Sequence, residues 1–193
     1  MLFTIYCNNC HSDQSFEWAA KAIEHVKGPI RPKEVRHPVA FHSYRSGAPD
    51  AEKLLIQASA DGDTPAFTQS GALLALRSFI SDASTEEAIR QLESNQSVVR
   101  VAALSKLEQL PPPQRLDYAV RLLDDEIRAV RTEAARILSS VPDSLFTPAQ
   151  YERFLVVFEE LKTRYISNLD RAESHLSLAI LSENQGEFAQ AEK

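Results

Sequence analysis

The sequence predicts an all-α protein made of stacked helical repeats, and three observations predict it. The chain has only 5 glycines in 193 residues, and its runs of Ala and Leu lack the β-branched alternation of strands. Apolar residues recur at steps of three and four, which gives each segment one apolar stripe. A similar segment also returns at a fixed interval along the chain, which is typical of repeat architectures.

That interval is 31 residues. Segments that begin at Thr68, Val99 and Val130 align without gaps. The alignment places Ala72, Ala103 and Ala134 in register, and a leucine follows each alanine four residues later, at Leu76, Leu107 and Leu138. A small alanine lets two helices approach closely, and the leucine fills the space beside it. We therefore expect all three alanines to be buried between helices.

Several helix boundaries can be predicted from capping residues. Thr64 and Thr147 each precede a proline, so each offers an N-cap hydroxyl with Pro at the first helical position. Ser84 with Glu87 fits a capping box. The apolar stripe of residues 151–169 predicts one long helix.

The second and third repeats, which begin Val99-Arg100 and Val130-Arg131 after a polar or acidic turn, resemble HEAT repeats. The first repeat departs from this pattern, because Thr68-Gln69 replaces Val-Arg. The resemblance covers residues 65–141. It implies antiparallel helix pairs stacked into a curved superhelix that contacts a protein partner or acts as a rigid spacer.

The last stretch resembles a tetratricopeptide repeat. Its large-small pair Leu178-Ala179, its turn glycine Gly186, and Phe188 and Ala191 have the spacing of that motif, although His175 and Ser182 depart from it. The sequence stops at Lys193 within the motif, which indicates an internal piece of a longer protein. A repeat needs stacked neighbours to bury its face. Leu178, Leu181 and Phe188 are therefore expected at an exposed or poorly covered end.

Residues 7–11 read Cys7-Asn8-Asn9-Cys10-His11, the C-x-x-C-H motif of c-type haem attachment. Cys7 and Cys10 would form thioethers to the two vinyl groups, and His11 would be the proximal ligand of the haem iron. A zinc site would need two more ligands, and the chain has no second cysteine pair. A thioredoxin-like redox pair would require a strand-to-helix junction. These alternatives, and a chance occurrence of the motif, remain open beside haem c.

A helix predicted over residues 15–26 and closed by Gly28-Pro29 follows the motif. An irregular stretch through Pro38 and a short helix that ends at Gly47 come next. In this order the elements resemble the C-terminal part of bacterial multihaem c-type cytochromes that continue into HEAT-like and tetratricopeptide repeats. The residues that carry the resemblance are Cys7-x-x-Cys10-His11, Glu17-Trp18-Ala19, Gly28-Pro29, Ala40-Phe41-His42 and Gly47-Ala48-Pro49-Asp50-Ala51.

The resemblance implies electron transfer through a covalently bound haem c in the periplasm. The haem would be absent from protein made without export and maturation. His42 and His37 are both near enough in sequence to fold over a haem, and His42 is preferred as the distal ligand because it lies in the matching Phe-His segment. The redox partner is not identified, and the distal ligand could also come from a part of the protein that precedes this sequence. His25 and His175 are expected to be solvated or packed.

The prediction thus comprises three regions. A haem c attachment segment spans residues 1–48, HEAT-like repeats span 49–147, and a long helix with an incomplete tetratricopeptide repeat spans 148–193.

The charge is uneven along the chain. Residues 1–46 carry six basic and four acidic side chains, a charge of +2. Because the net charge of the whole chain is −6, the remaining residues carry −8. This balance argues against a nucleic-acid partner, and no apolar run reaches the length of a membrane span. No catalytic constellation stands out, so an enzyme is the least favoured class. An interaction module that binds a protein partner through the repeats, with no haem loaded, is the alternative to electron transfer.

Overall fold

The structure is a computed structural model, and it describes residues 10–27 and 36–186. Within these ranges the chain forms ten α-helices and two short 3-10 helices and contains no β-strand, so the predicted all-α class is confirmed. The α-helices are α1 (Phe16–Lys27), α2 (Arg36–Ser46), α3 (Ala51–Ala60), α4 (Ala66–Leu76), α5 (Asp82–Gln91), α6 (Ser97–Leu107), α7 (Pro112–Ala119), α8 (Arg128–Leu138), α9 (Pro148–Ile166) and α10 (Ala172–Asn184). The 3-10 helices are Val120–Asp124 and Asp143–Leu145.

Helices α2 to α10 pack chiefly against helices close to them in the chain. Helix α2 packs on α3 and α3 on α4, while α4, α6, α8 and α9 lie side by side in that order. Helix α5 contacts α3 and α6, α7 contacts α8, and α10 packs on α9. The apolar side chains between these helices form one continuous hydrophobic core.

The predicted burial of the three aligned alanines is confirmed. Ala72, Ala103 and Ala134 are each 0% exposed, and so are Leu76, Leu107 and Leu138. The alanines lie on α4, α6 and α8, the three helices that pack side by side. The small methyl side chain of alanine allows the axes of neighbouring helices to come close together at these points.

Polar contacts between neighbouring helices repeat at a similar interval. Arg136 donates to Glu108, 28 residues earlier, with Nη1–Oε1 at 2.8 Å and Nη2–Oε2 at 3.0 Å. Glu108 in turn pairs with Arg77, 31 residues earlier. The Ser105 hydroxyl donates to Glu133, 28 residues later, at 2.8 Å. These separations match the apolar register because the same helix pairs supply both sets of contacts.

The arginine that distinguishes the second and third segments pairs with a carboxylate further along the chain. Arg100 donates through Nε and Nη2 to Asp125, both at 2.9 Å, and Arg131 donates in the same way to Glu160, at 2.7 and 2.6 Å. Gln69 is the residue in register in the first segment, and its amide donates to the Asp61 carbonyl at 2.7 Å. The first segment, with Gln69 in place of arginine, therefore lacks the ion pair that the other two segments make with a carboxylate later in the chain.

The predicted helix starts are partly wrong. Thr147 does cap α9, because its hydroxyl accepts from Gln150 N and the Gln150 side chain accepts from Thr147 N. Thr64 does not cap α4, since the Pro65 carbonyl accepts the first N–H groups of that helix. Ser84 is not the cap of α5 either. The chain is already extended at Ser81, whose hydroxyl accepts from Ser84 N at 3.1 Å, so the helix starts earlier than predicted.

Two further helices differ from their predicted bounds. Helix α2 begins at Arg36, whereas the irregular stretch was expected to continue through Pro38. Proline is tolerated in the first turn of a helix, because the N–H group that it lacks would have no hydrogen-bond partner within the helix. The helix ends as predicted at Gly47, which has φ of +67°. The long helix α9 spans Pro148–Ile166 rather than 151–169, because its capping box fixes the start three residues earlier.

The expectation of an exposed C-terminal face is wrong for one of its three residues. Leu181 is only 2% exposed and belongs to the hydrophobic core, because α10 lies against α9 and turns this side chain inward. Leu178 is half-buried. Phe188 lies outside the described residues.

Candidate functional site

The segment that follows the C-x-x-C-H motif begins with a turn and a short helix. Gln14 N donates to the His11 carbonyl at 3.1 Å, and the Ser15 hydroxyl accepts from Trp18 N at 3.2 Å, which satisfies a donor in the first turn of α1. This turn brings the Trp18 ring to the His11 ring, with centroids 5.1 Å apart and planes at 52°. The predicted helix over residues 15–26 is observed as α1.

Two of the three motif residues are described, and both are accessible. Cys10 is exposed with a free thiol, and His11 is exposed. Among the described residues the His11 ring contacts Trp18 and makes no hydrogen bond or ion pair of its own. Cys7 lies outside the described residues.

Cys10 and His11, the two motif residues that the structure describes, are accessible for the chemistry that covalent haem attachment requires. A thioether forms from a thiol that is free of a disulfide, and Cys10 offers one. An axial ligand needs an imidazole nitrogen that is not engaged by the protein, and no contact within the described ranges engages those of His11. Within the same ranges no group of three or more His, Cys, Asp or Glu is arranged to hold a metal ion.

The other histidines are distributed over three helices. His25 is exposed on α1, His37 is half-buried and His42 exposed on α2. The contacts described for His37 and His42 include none to Cys10 or His11, and their assignment as distal candidates stays a prediction. His175 is exposed on α10, and its Nε2 lies 2.8 Å from the Leu169 carbonyl.

A polar cleft between the end of α9 and the start of α10 was not foreseen from the sequence. It has a volume of about 370 Å³ and is lined by Arg164, Tyr165, Asn168, Arg171, Glu173, Ser174 and Ser177. A smaller cavity of about 120 Å³ shares Tyr165 and Ser177 with it and extends towards Glu108 and Arg136. No local sequence pattern marks this cleft, because its lining residues come from two helices and the turn between them.

Charged groups beside the smaller cavity are paired. Hydrogen bonds from Arg136 lower the pKa of the Glu108 carboxyl, against the opposing effect of burial, and Arg77 and Arg115 lower it further. Arg136 is also paired with Glu133, with Nη2–Oε1 at 2.9 Å. Lys106 lies deeper, 2% exposed, and burial lowers its pKa although its ammonium donates to Gln109 at 2.8 Å.

None of the helices in the described part of the chain is both long and apolar enough to cross a membrane. A comparison of the chain with protein-family models, with curated proteins and with solved structures found no match. The all-α fold is therefore the class of protein that the structure itself establishes.

Proposed function

We propose that the chain is an α-solenoid of HEAT-like repeats running into a tetratricopeptide repeat, and that it is the C-terminal part of a protein like the bacterial multihaem c-type cytochromes. The 31-residue register supports the solenoid, because the alanines that define it are fully buried on three helices that pack side by side. The polar contacts at separations of 28 to 31 residues join the same helix pairs and agree with it.

The function proposed for the N-terminal segment is electron transfer through one haem c. Cys7 and Cys10 would hold the group covalently, and His11 would bind its iron. The observation that carries the proposal is the pair of adjacent, exposed residues Cys10 and His11, whose thiol and imidazole are free of other bonds in the described structure. When bound, a haem supplies a site that takes up and releases one electron.

The protein's own residues have separate roles in this proposal. Trp18 packs beside His11 and restricts the orientation of its imidazole. Helix α1 fixes Trp18 because the Ser15 hydroxyl caps its first turn. His42, or alternatively His37, would supply a distal ligand, and this requires α2 to approach the motif. Covalent haem attachment takes place in the periplasm, so the functional protein would be located there.

The test is expression of the chain with an export signal, together with the machinery for c-type cytochrome maturation. We expect one covalently bound haem, seen by mass spectrometry and by haem staining after denaturing electrophoresis. Cys10→Ser should lose the doubly attached product, whereas the same chain made in the cytoplasm should carry none. Exported chain that carries no haem in the presence of active maturation machinery would overturn the proposal.

Ligand assignment has a spectroscopic test on the same material. His42→Ala should shift the absorption spectrum from six-coordinate low-spin towards high-spin, while His25→Ala, on the exposed face of α1, should leave it unchanged. A spectrum unaffected by His42→Ala but altered by His37→Ala would move the distal assignment to His37.

The second candidate function is a protein-interaction module. It is favoured by large apolar side chains left in solvent on the repeat region, where Phe67 is 82% exposed and Ile80 is 94% exposed. Single exposed apolar residues are common on soluble proteins, so this observation ranks below the motif. Exported chain without haem would leave this candidate in place.

A further inference from the structure

We propose that the cleft between α9 and α10 binds an oxyanion group, a carboxylate or a phosphate, through Arg164 and Arg171. This inference shares no residue with the haem proposal and does not depend on it. Both arginines line one cleft of about 370 Å³, a volume within the range of ligand sites. Two guanidinium groups that face one space present planar forks of donors that match the oxygens of a carboxylate or phosphate.

Arg164 is held in place without a carboxylate partner. Its guanidinium lies over the Tyr165 ring at 4.9 Å, and its remaining contacts are long ones, Nη2 to the Tyr165 hydroxyl at 3.3 Å and Nη1 to the Thr132 hydroxyl at 3.5 Å. Other arginines on α8 and α9 behave differently. Arg131 and Arg136, for example, each donate to a carboxylate at 3.0 Å or less.

Arg171 is the residue that precedes α10. Its backbone N–H donates to the Asn168 carbonyl at 3.1 Å, which closes the turn between the two helices. Its side chain is exposed, and no described residue forms an ion pair with it. A cation that points into a cleft and has no internal partner leaves its charge available to a ligand.

Ser174 gives a second and independent indication of a ligand. It lines the cleft and is only 6% exposed, yet none of the hydrogen bonds among the described residues uses its hydroxyl. A hydroxyl at the wall of a cleft that no protein group uses can donate to, or accept from, a polar ligand in that cleft. Ser174 also lies in the first turn of α10, where the positive end of the helix dipole favours an anion.

Glu173 should weaken anion binding, so its substitution should change the affinity in the opposite direction to substitution of the arginines. Its carboxylate lines the same cleft, so it reduces the positive potential that an anion would meet. Neutralising Glu173 should therefore strengthen binding, whereas neutralising either arginine should weaken it. A purely structural role for these residues would not give opposite signs.

The experiment titrates the full chain at low ionic strength with inorganic phosphate, with succinate and with a hexaglutamate peptide, and measures heat by calorimetry. Binding of phosphate or succinate would assign the site to free anions, and binding of the peptide alone to carboxylates of a protein partner. Arg164→Gln and Arg171→Gln should each weaken binding about tenfold or more. Glu173→Gln should tighten it several-fold, and Arg45→Gln, an exposed arginine on α2, is the matched control that should change nothing.

Circular dichroism establishes that each variant retains its helices. The proposal is overturned when no probe binds the parent chain, when Arg45→Gln weakens binding as much as the cleft variants, or when Glu173→Gln weakens rather than strengthens it.

Discussion

Alanine occupies the points where neighbouring helices are closest. Ala103 is 0% exposed at the middle of α6, between α4 on one side and α8 on the other. A protein interior is packed as densely as an organic crystal, so a larger side chain has no space to enter. The side chain at this position is therefore limited by volume rather than by polarity.

Ala103→Leu should lower the free energy of unfolding by about 1–3 kcal/mol through overpacking. The measurement is urea unfolding followed by circular dichroism. Ala129→Leu makes the same chemical change at an exposed position of α8 and should alter the free energy by less than about 0.5 kcal/mol. Equal effects of the two substitutions would contradict a close approach of helices at Ala103.

The residues that could be predicted from the sequence are those fixed by periodicity. The alanines and leucines of the 31-residue register were predicted, because burial of one helix face leaves a regular trace in the sequence. Leu181 was predicted to be exposed because the sequence stops before the next repeat helix, whereas its burial depends on how α10 packs on α9. The cleft with Arg164 and Arg171 was missed for the same reason, since its walls come from two helices whose contact no local pattern specifies.

At the scale of the helix, side-chain caps mark the starts of α5 and α9. Two serines lie near the start of α5, and only the geometry shows that Ser81 rather than Ser84 accepts the N–H bond. Serine is a common N-cap residue, so residue type alone could not decide which of the two caps the helix. In α9 the reciprocal bonds of Thr147 and Gln150 fix the start of the helix. The sequence predicted the Thr147 cap, although the apolar stripe alone placed the start at residue 151.

Thr147→Ala should lower the free energy of unfolding by about 1 kcal/mol, because it removes the acceptor for Gln150 N at the start of α9. Thr163→Ala is the matched change near the other end of the same helix. The Thr163 hydroxyl only bonds back to the Glu159 carbonyl, so its loss should be neutral within about 0.5 kcal/mol. A cost at Thr163 equal to that at Thr147 would show that the cap is not the cause. Chemical denaturation measures both.

At the scale of the whole molecule, Glu108 joins three helices that lie side by side. It follows α6 and pairs with Arg77 at the end of α4 and with Arg136 on α8. Hydrogen bonds from Arg136 hold its pKa below the ordinary value of 4.5. A carboxyl whose pKa is lower in the folded state stabilises the fold above its ordinary pKa. That contribution is lost as the pH falls through the folded-state pKa.

Glu108→Gln should therefore be less stable than the parent at about pH 6, and the difference should shrink as the pH falls below about 4.5. Unfolding by urea at a series of pH values measures this difference. Glu86→Gln, at an exposed position of α5, should show no such convergence. A stability difference for Glu108→Gln that stays constant with pH would mean that the ion pairs do not contribute.

The contacts at separations of about 30 residues also determine how the chain reaches its fold. Among the described residues the hydrogen bonds span at most 46 positions, from Gln185 to Ser139. The entropy of closing a loop rises only with the logarithm of its length, and here no large loop has to close before contacts form. Chains with such local topology cross low kinetic barriers. Each newly synthesised helix can therefore find its partners while the ribosome is still making the next one.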